Sequence, residues 1–268
     1  MNTSNEKIVI ATRSMNRFLY RLSQKTVSLP YKRYRLCDTT ADGYILELLK
    51  IDADWVINID EDAFVTNEDS IMSLLQYMKD NSYEVCGFPD GGVMKIRCYN
   101  PLIMNPFFNI FHLKSLRNKY TLMVEKNYTA HKSEYEGKTP FGVMKEGYGY
   151  EYDFYEPYYP VFLWMNQNAK CLYLSAQEHA DGFSTIALDQ NDHPFLIHTW
   201  WSRAYGTDPF HTERINNAWC EAMGGAKHIP HSSSWSRMLD HIDMVIRKYR
   251  ANYYKSQIVA FLGKLLHH

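Results

Sequence analysis

The chain has 268 residues, 46% hydrophobic and 22% charged, with a formal net charge of −1. That length suits one large domain or one domain with a helical appendage. A net charge so close to zero sets up no field for nucleic acid, and no RNA- or DNA-reading motif is present, so nucleic acid is excluded as a partner.

The 21 tyrosines and 6 tryptophans are an excess that suits a core or interface and is compatible with sugar-stacking surfaces. Cys37, Cys86, Cys98, Cys171 and Cys220 are scattered without a CxxC pair. This argues against a zinc site or a disulfide framework and fits a reducing cytoplasm. The apolar run Ile8 to Ala11 is too short for a signal sequence or a membrane span, and no longer run follows. The expectation is a cytoplasmic protein, soluble or resting on the inner face of the membrane.

In chain order, Lys7 to Ala11 predicts a buried first strand, and Asn16 to Lys25 a helix closed by Pro30. Tyr31 to Leu36 alternates as a second strand, and Asp42 opens a helix through Tyr44, Ile45, Leu48 and Leu49. Trp55 to Ile59 is a third strand. This β-α-β-α-β pattern, with polar residues at each strand's carboxyl end, implies a parallel sheet. Asn67 or Asp69 caps a further helix through Met78, and Tyr83 to Phe88 is a strand broken by the turn Pro89-Asp90-Gly91-Gly92. Val93 to Tyr99 alternates as an antiparallel return, and Asn105 to Phe111 is another strand before a short helix from His112 to Arg117. Residues 118–150 carry little periodicity and are expected to be loops. The acidic run Glu151 to Glu156 precedes a helix from about Pro157 to Asn168, and then a strand from Cys171 to Ser175. Short strands over Thr185 to Leu188 and Phe195 to Ile197 lead to His198 and the loop Thr199 to Gly206. From about Ser232 the chain is helical, amphipathic and basic, through Arg237, Arg247, Lys248, Arg250, Lys255 and Lys264. This divides the chain into an α/β domain over residues 1–231 and a helical extension over 232–268. The extension suits packing on the domain, a homo-oligomer contact or peripheral membrane contact.

Chemistry concentrates at Asp60-Glu61-Asp62, three carboxylates at the tip of the apolar strand Trp55 to Ile59. Such a cluster is costly unless neutralised, and in open α/β sheets this tip is where ligands bind. Alternation along an extended chain sends Asp60 and Asp62 to one side and Glu61 to the other. Two carboxylates on one side suit Mn²⁺ or Mg²⁺, which complete their shells with phosphate and water. A haloacid-dehalogenase-type phosphohydrolase also uses two aspartates one residue apart. There, however, the pair closes the first strand and is followed by Thr or Val where this chain has Phe64.

Over roughly residues 7 to 205 the chain resembles nucleotide-sugar glycosyltransferases of the GT-A type, of the bacterial, family-2-like kind. The resemblance rests on Asp60-Glu61-Asp62 as the DxD motif after ADGYILELLKIDADWVINID. The opening strand Ile8 to Arg13, Asp38 after the second strand, and the stretch Glu151 to Leu174 support it. It implies a Rossmann-like, mixed but mainly parallel sheet flanked by helices. It also implies transfer of a sugar from a nucleotide diphosphate donor, most often UDP-linked, to a saccharide or lipid-linked acceptor, as in surface-polysaccharide assembly. By that resemblance Thr12, Arg13 and Asp38 contact the nucleotide and Asp62 binds the metal, with Asp60 on the metal or donor and His198 as a further ligand. Arg203 and Tyr205 would meet the departing diphosphate. An inverting enzyme needs a base, for which Glu156, then Asp153, then Asp181 are candidates; a retaining one needs none. The motif arrives early, with room for only two βα units before it. A carbohydrate-binding protein without activity on the same fold is the non-enzyme alternative.

Overall fold

The computed structural model describes residues 6–39, 43–90, 100–120, 156–226, 228–230 and 233–266, with side chains described as far as residue 250. The expected Asp42 cap, the strand over Val93 to Tyr99, the loops of 121–150 and the acidic residues 151–155, Asp153 among them, lie outside the described residues.

The first five elements alternate as the sequence pattern requires: β1 (Ile8–Arg13), α1 (Arg17–Lys25), β2 (Lys32–Leu36), α2 (Gly43–Lys50) and β3 (Trp55–Ile59). Next come β4 (Ala63–Val65), α3 (Glu68–Asp80), β5 (Val85–Pro89), β6 (Met104–His112), α4 (Leu113–Lys119), α5 (Tyr159–Asn168) and β7 (Cys171–Tyr173). The chain continues through β8 (Ala176–Glu178), β9 (Thr185–Leu188) and β10 (Pro194–His198) to a 3-10 turn (Ser202–Ala204), α6 (Pro209–Ala222) and α7 (Ser234–Leu266).

Local chemistry accounts for the helix starts. Asn16 accepts the amides of Phe18 and Leu19 at the head of α1, and Asn67 accepts that of Asp69 at the head of α3. These side chains satisfy amides that the first turn leaves open. Asp208 does the same for α6 by accepting the His211 amide, with Pro209 in the first turn.

Among the described residues, six strands form one sheet in the order β2-β1-β3-β6-β5-β7. β1 runs parallel to β2 and β3, β5 runs parallel to β7, and β6 runs antiparallel to both its neighbours. The result is a mixed, mainly parallel sheet in which β1, β2, β3, β5 and β7 all end on one edge. Both faces are covered. Val9, Ala11 and Val56 face a core shared with α2, α4 and α5. Ile10, Ile57 and Ile59 face a core shared with α3. Burial on both sides explains why these strands read as continuous apolar runs.

A second sheet, β4-β10-β9-β8, is antiparallel. A third cluster packs it against the first layer: Leu19 and Leu22 of α1, Phe64 of β4, Ile197 of β10, and Ile215 and Trp219 of α6. The Trp219 indole also donates to the Leu22 carbonyl at 2.9 Å. β4, β8 and α6 leave no clear pattern in the sequence. Two of these are three-residue strands, too short to show a period, and α6 spreads few apolar residues among many polar ones.

Gly87 marks the tightest approach inside the main sheet. A Cβ there would lie 2.3 Å from the Asn109 side-chain amide and 3.2 Å from the Met104 Cβ. Gly87→Ala is therefore expected to destabilise by about 1–3 kcal/mol, seen as a lower urea midpoint with an unchanged slope.

Candidate active site

The three carboxylates at the end of β3 are each met by a different part of the chain. Asp60 donates its backbone amide to the Phe107 carbonyl, and its Oδ1 accepts from the Glu61 amide at 2.9 Å. Its Oδ2 lies 3.5 Å from Arg13 Nη2 at the end of β1. Burial pushes the Asp60 carboxyl up, Arg13 pulls it down and neighbouring Asp62 pushes it up again, leaving it above its ordinary value.

Glu61 points into the start of α1. Its Oε2 accepts from the Ser14 hydroxyl at 2.8 Å and from the amides of Met15 and Asn16 at 3.0 and 2.7 Å. A carboxylate at a helix N-terminus is a favourable arrangement. Burial, with Asp60 adding to it, nevertheless raises this carboxyl to about 8, against the pull of the Asn16 amide and Ser14 hydroxyl.

Asp62 meets His198, with Oδ1 to Nε2 at 3.4 Å and both side chains buried. Burial pushes the Asp62 carboxyl up, but the charge and hydrogen bond of His198 outweigh it, and the net displacement is downward. Strand register brings these residues together across the sequence. β10 pairs with β4, placing His198 opposite Ala63, and the Asp62 carbonyl accepts from both the amide and the hydroxyl of Thr199 at 2.9 Å. The imidazole is stacked on Phe107 at 4.3 Å, with Trp200 on its other contact at 4.2 Å.

Asp62 and His198 are thus the donors that come together, whereas Asp60 is engaged by Arg13. Among the described residues no three His, Cys, Asp or Glu side chains are grouped closely enough to hold a metal ion. The expected trio of Asp60, Asp62 and His198 is accordingly not assembled as one protein cage. An Asp–His pair still suits Mg²⁺ or Mn²⁺ sites that take much of their shell from phosphate and water.

Three of the other expected contacts, Thr12, Asp38 and Tyr205, have side-chain polar atoms committed inside the protein. Thr12 is buried and its hydroxyl accepts from Gln24 Nε2 at 3.0 Å. Asp38, at a φ of 61°, takes Arg247 and Arg250 of α7 on Oδ2 at 2.5 and 3.2 Å. Tyr205 stacks on Phe18 at 5.7 Å and donates to Asn216 at 2.8 Å; burial raises its phenol to about 12. Arg203 is exposed in the 3-10 turn. Glu156 stands just before α5, its carbonyl accepting the Tyr159 amide at 3.1 Å.

Asp181 is the most fully occupied. It accepts from the amides of Phe183 and Ser184 and from the Ser184 hydroxyl, with Arg214 Nη1 at 3.5 Å. Burial alone would raise it, but the Ser184 hydroxyl and these amides bring it down to about 2. A carboxylate so depressed is a poor base.

Three residues at the site escaped the sequence reading. Tyr44 reads as part of an apolar helical stripe, yet the Arg13 guanidinium lies 5.8 Å from its ring. Its buried hydroxyl has no hydrogen-bond partner among the described residues. Asp90 reads as a turn residue, yet it is buried at the end of β5 and accepts from Asn105 Nδ2 and Tyr159 Oη at 2.5 Å and Tyr158 Oη at 3.2 Å. An aspartate directly after an apolar strand was the available signal, the same one that β3 gives. Arg214, buried in α6, donates to the Ser184 hydroxyl at 2.7 Å and to the Trp200 carbonyl at 3.3 Å. It braces Trp200 and Trp201, both left-handed at φ of 57° and 52°. That conformation costs on the order of 1–3 kcal/mol for each such residue.

No protein-family model matches the chain, and comparison with curated proteins finds no relative. Among solved structures, an active-site mutant of LgtC is similar at 12% identity and a TM-score of 0.42, over 84% of this chain and 98% of that one. A glycosyltransferase involved in glycosylation of the major capsid of PBCV-1 is similar at 11% identity and a TM-score of 0.30, over 57% of this chain and 82% of that one. At such scores neither likeness bears on the chemistry, which rests on the residues described above.

The depressed Asp181 carboxyl has a measurable consequence. Its folded value lies below its ordinary one, so it adds stability above about pH 4 and loses that contribution as pH falls towards 2. Asp181→Asn should cost about 1 kcal/mol at pH 6, after allowing for solvent screening, and progressively less below pH 4. Urea midpoints of both proteins at pH 6 and pH 3 check the sign.

Proposed function

We propose that the chain is a metal-dependent glycosyltransferase of the GT-A type, moving a sugar from a nucleotide diphosphate donor, a UDP-sugar, to a saccharide or lipid-linked acceptor in surface-polysaccharide synthesis. One observation carries this reading. The Asp62–His198 pair and the Arg13–Asp60 pair flank each other at the edge where β1 and β3 end. That edge is the ligand-binding side of an open α/β sheet.

In this reading Asp62 and His198 hold Mn²⁺ or Mg²⁺. When bound, the ion supplies positive charge against the departing diphosphate. Arg13 adds a fixed cation on the same edge, and Asp60, oriented by Arg13, accepts a hydroxyl of the donor sugar or ribose. The exposed Arg203 is free to swing onto the diphosphate when its loop closes. For an inverting reaction the base is Glu156, with Asp153 the second candidate, since Asp181 is both occupied and strongly acidic.

The test is calorimetric titration of a panel of nucleotide sugars with and without Mn²⁺. Metal-dependent donor binding is expected, weakened about 10–100-fold by Asp62→Asn or His198→Gln, with the thermal transition of each variant recorded beside it to separate lost binding from lost fold. Glu156→Gln should lower turnover and leave donor affinity in place. Donor binding that is absent across the panel, or indifferent to metal, sinks the proposal.

A further inference from the structure

The helix α7 is held to the protein by charge, and its apolar side faces away. On the inner side, Arg21 of α1 forks onto Asp240 at 2.8 and 2.6 Å, and Arg35 of β2 reaches Asp243 at 2.9 Å. Arg247 completes the clamp on Asp38. At 100° per residue these positions share one flank of the helix. The opposite flank carries Trp235, Met238, Ile242, Val245, Ile246 and Tyr249, all exposed, with Trp235 at 65% and Tyr249 at 72%. An amphipathic helix normally buries its apolar stripe. Here the ion pairs hold that stripe outward.

The charges around the stripe are of one sign. Asp240 and Asp243 are the segment's only acidic residues, and both are consumed by the clamp. Among the described residues, the exposed charged side chains beside the stripe that are left without an acidic partner are Arg237 and Lys248; Arg250 lies 3.2 Å from Asp38. Among the described residues no helix is long and apolar enough to cross a membrane. A basic helix with one apolar face and aromatic residues at both ends of it suits the plane of a lipid interface. A second copy of the same face would bring these cations against each other, whereas an anionic leaflet complements them.

We propose that α7 lies flat on an anionic membrane surface, with the stripe from Trp235 to Tyr249 inserted between headgroups and Arg237 and Lys248 on lipid phosphates. This holds whether or not the proposed transferase activity is correct. The full chain should sediment with vesicles of equimolar phosphatidylglycerol and phosphatidylcholine at least about tenfold more strongly than with phosphatidylcholine alone, and less so at high salt. The double variant Ile242→Ser, Ile246→Ser should lose this binding while keeping its thermal transition, because both side chains are already exposed. Arg237→Glu with Lys248→Glu should abolish the preference for anionic lipid. Any of three results overturns the proposal: no vesicle binding, equal binding to both vesicle types, or a concentration-dependent dimer in sedimentation that the apolar double variant dissolves.

Discussion

Three consecutive buried or nearly buried carboxylates at the end of one strand impose the constraint on which the rest of this structure depends. Each would be prohibitively costly alone, so each must recruit a partner. Asp60 recruits Arg13 from the adjacent strand, Glu61 recruits the amino end of α1, and Asp62 recruits His198 from the second sheet. Three contiguous residues thereby tie together β1, α1 and β10. The place where these parts meet is fixed by charge compensation as much as by apolar packing.

The same requirement makes the site rigid. His198 is pinned between Phe107 and Trp200, and its strand is in register with the residue that follows Asp62. A histidine so confined presents Nε2 in one direction only, which is what a preorganised ligand or charge partner requires. The left-handed Trp200-Trp201 step is the strained part of this assembly. Arg214 holds it by binding the Trp200 carbonyl from behind, with Asp181 and Ser184 in turn holding Arg214. Asp181 therefore works at one remove, as a support for the loop. Against the effect of burial, its carboxyl is held down by the Ser184 hydroxyl and by the Ser184 and Phe183 amides, which suits an anchor better than a base.

What could be seen in the sequence was what local pattern encodes. The strands β1, β3 and β5 are doubly buried apolar runs, and the acidic triplet at the end of β3 and His198 at the end of PFLIH both stand out against such runs. Partners that the fold brings from afar left no local trace. Asp38 looks like a free aspartate after a strand, yet its carboxylate is taken by Arg247, 209 residues away. Tyr44 sits at helical spacing among Ile45 and Leu48, so its hydroxyl was invisible in a stripe that otherwise reads as core. Asp90 was hidden by the proline and glycines around it, which are genuine turn signals. Arg214 could not be anticipated at all, because the strain it relieves exists only once the Trp200-Trp201 loop is formed.

Some of the buried polar atoms left without partners lie near the same edge. Among the described residues, Tyr44 Oη, His198 Nδ1, Asp38 Oδ1 and Thr39 Oγ1 are buried without a hydrogen bond. Native proteins rarely leave such groups unsatisfied, and each one needs a reason. Tyr44 flanks Arg13, His198 flanks Asp62, and Asp38 and Thr39 follow β2, the strand beside β1. Others lie elsewhere: Asn58 Oδ1 and Asn109 Oδ1 within the sheet itself, and Gln24 Oε1, Gln190 Oε1 and Arg214 Nε outside it. Those around the ends of β1, β2 and β3 differ in their surroundings. There the unsatisfied groups alternate with fixed charges of both signs, an arrangement suited to a ligand that carries hydroxyls and anionic oxygens together.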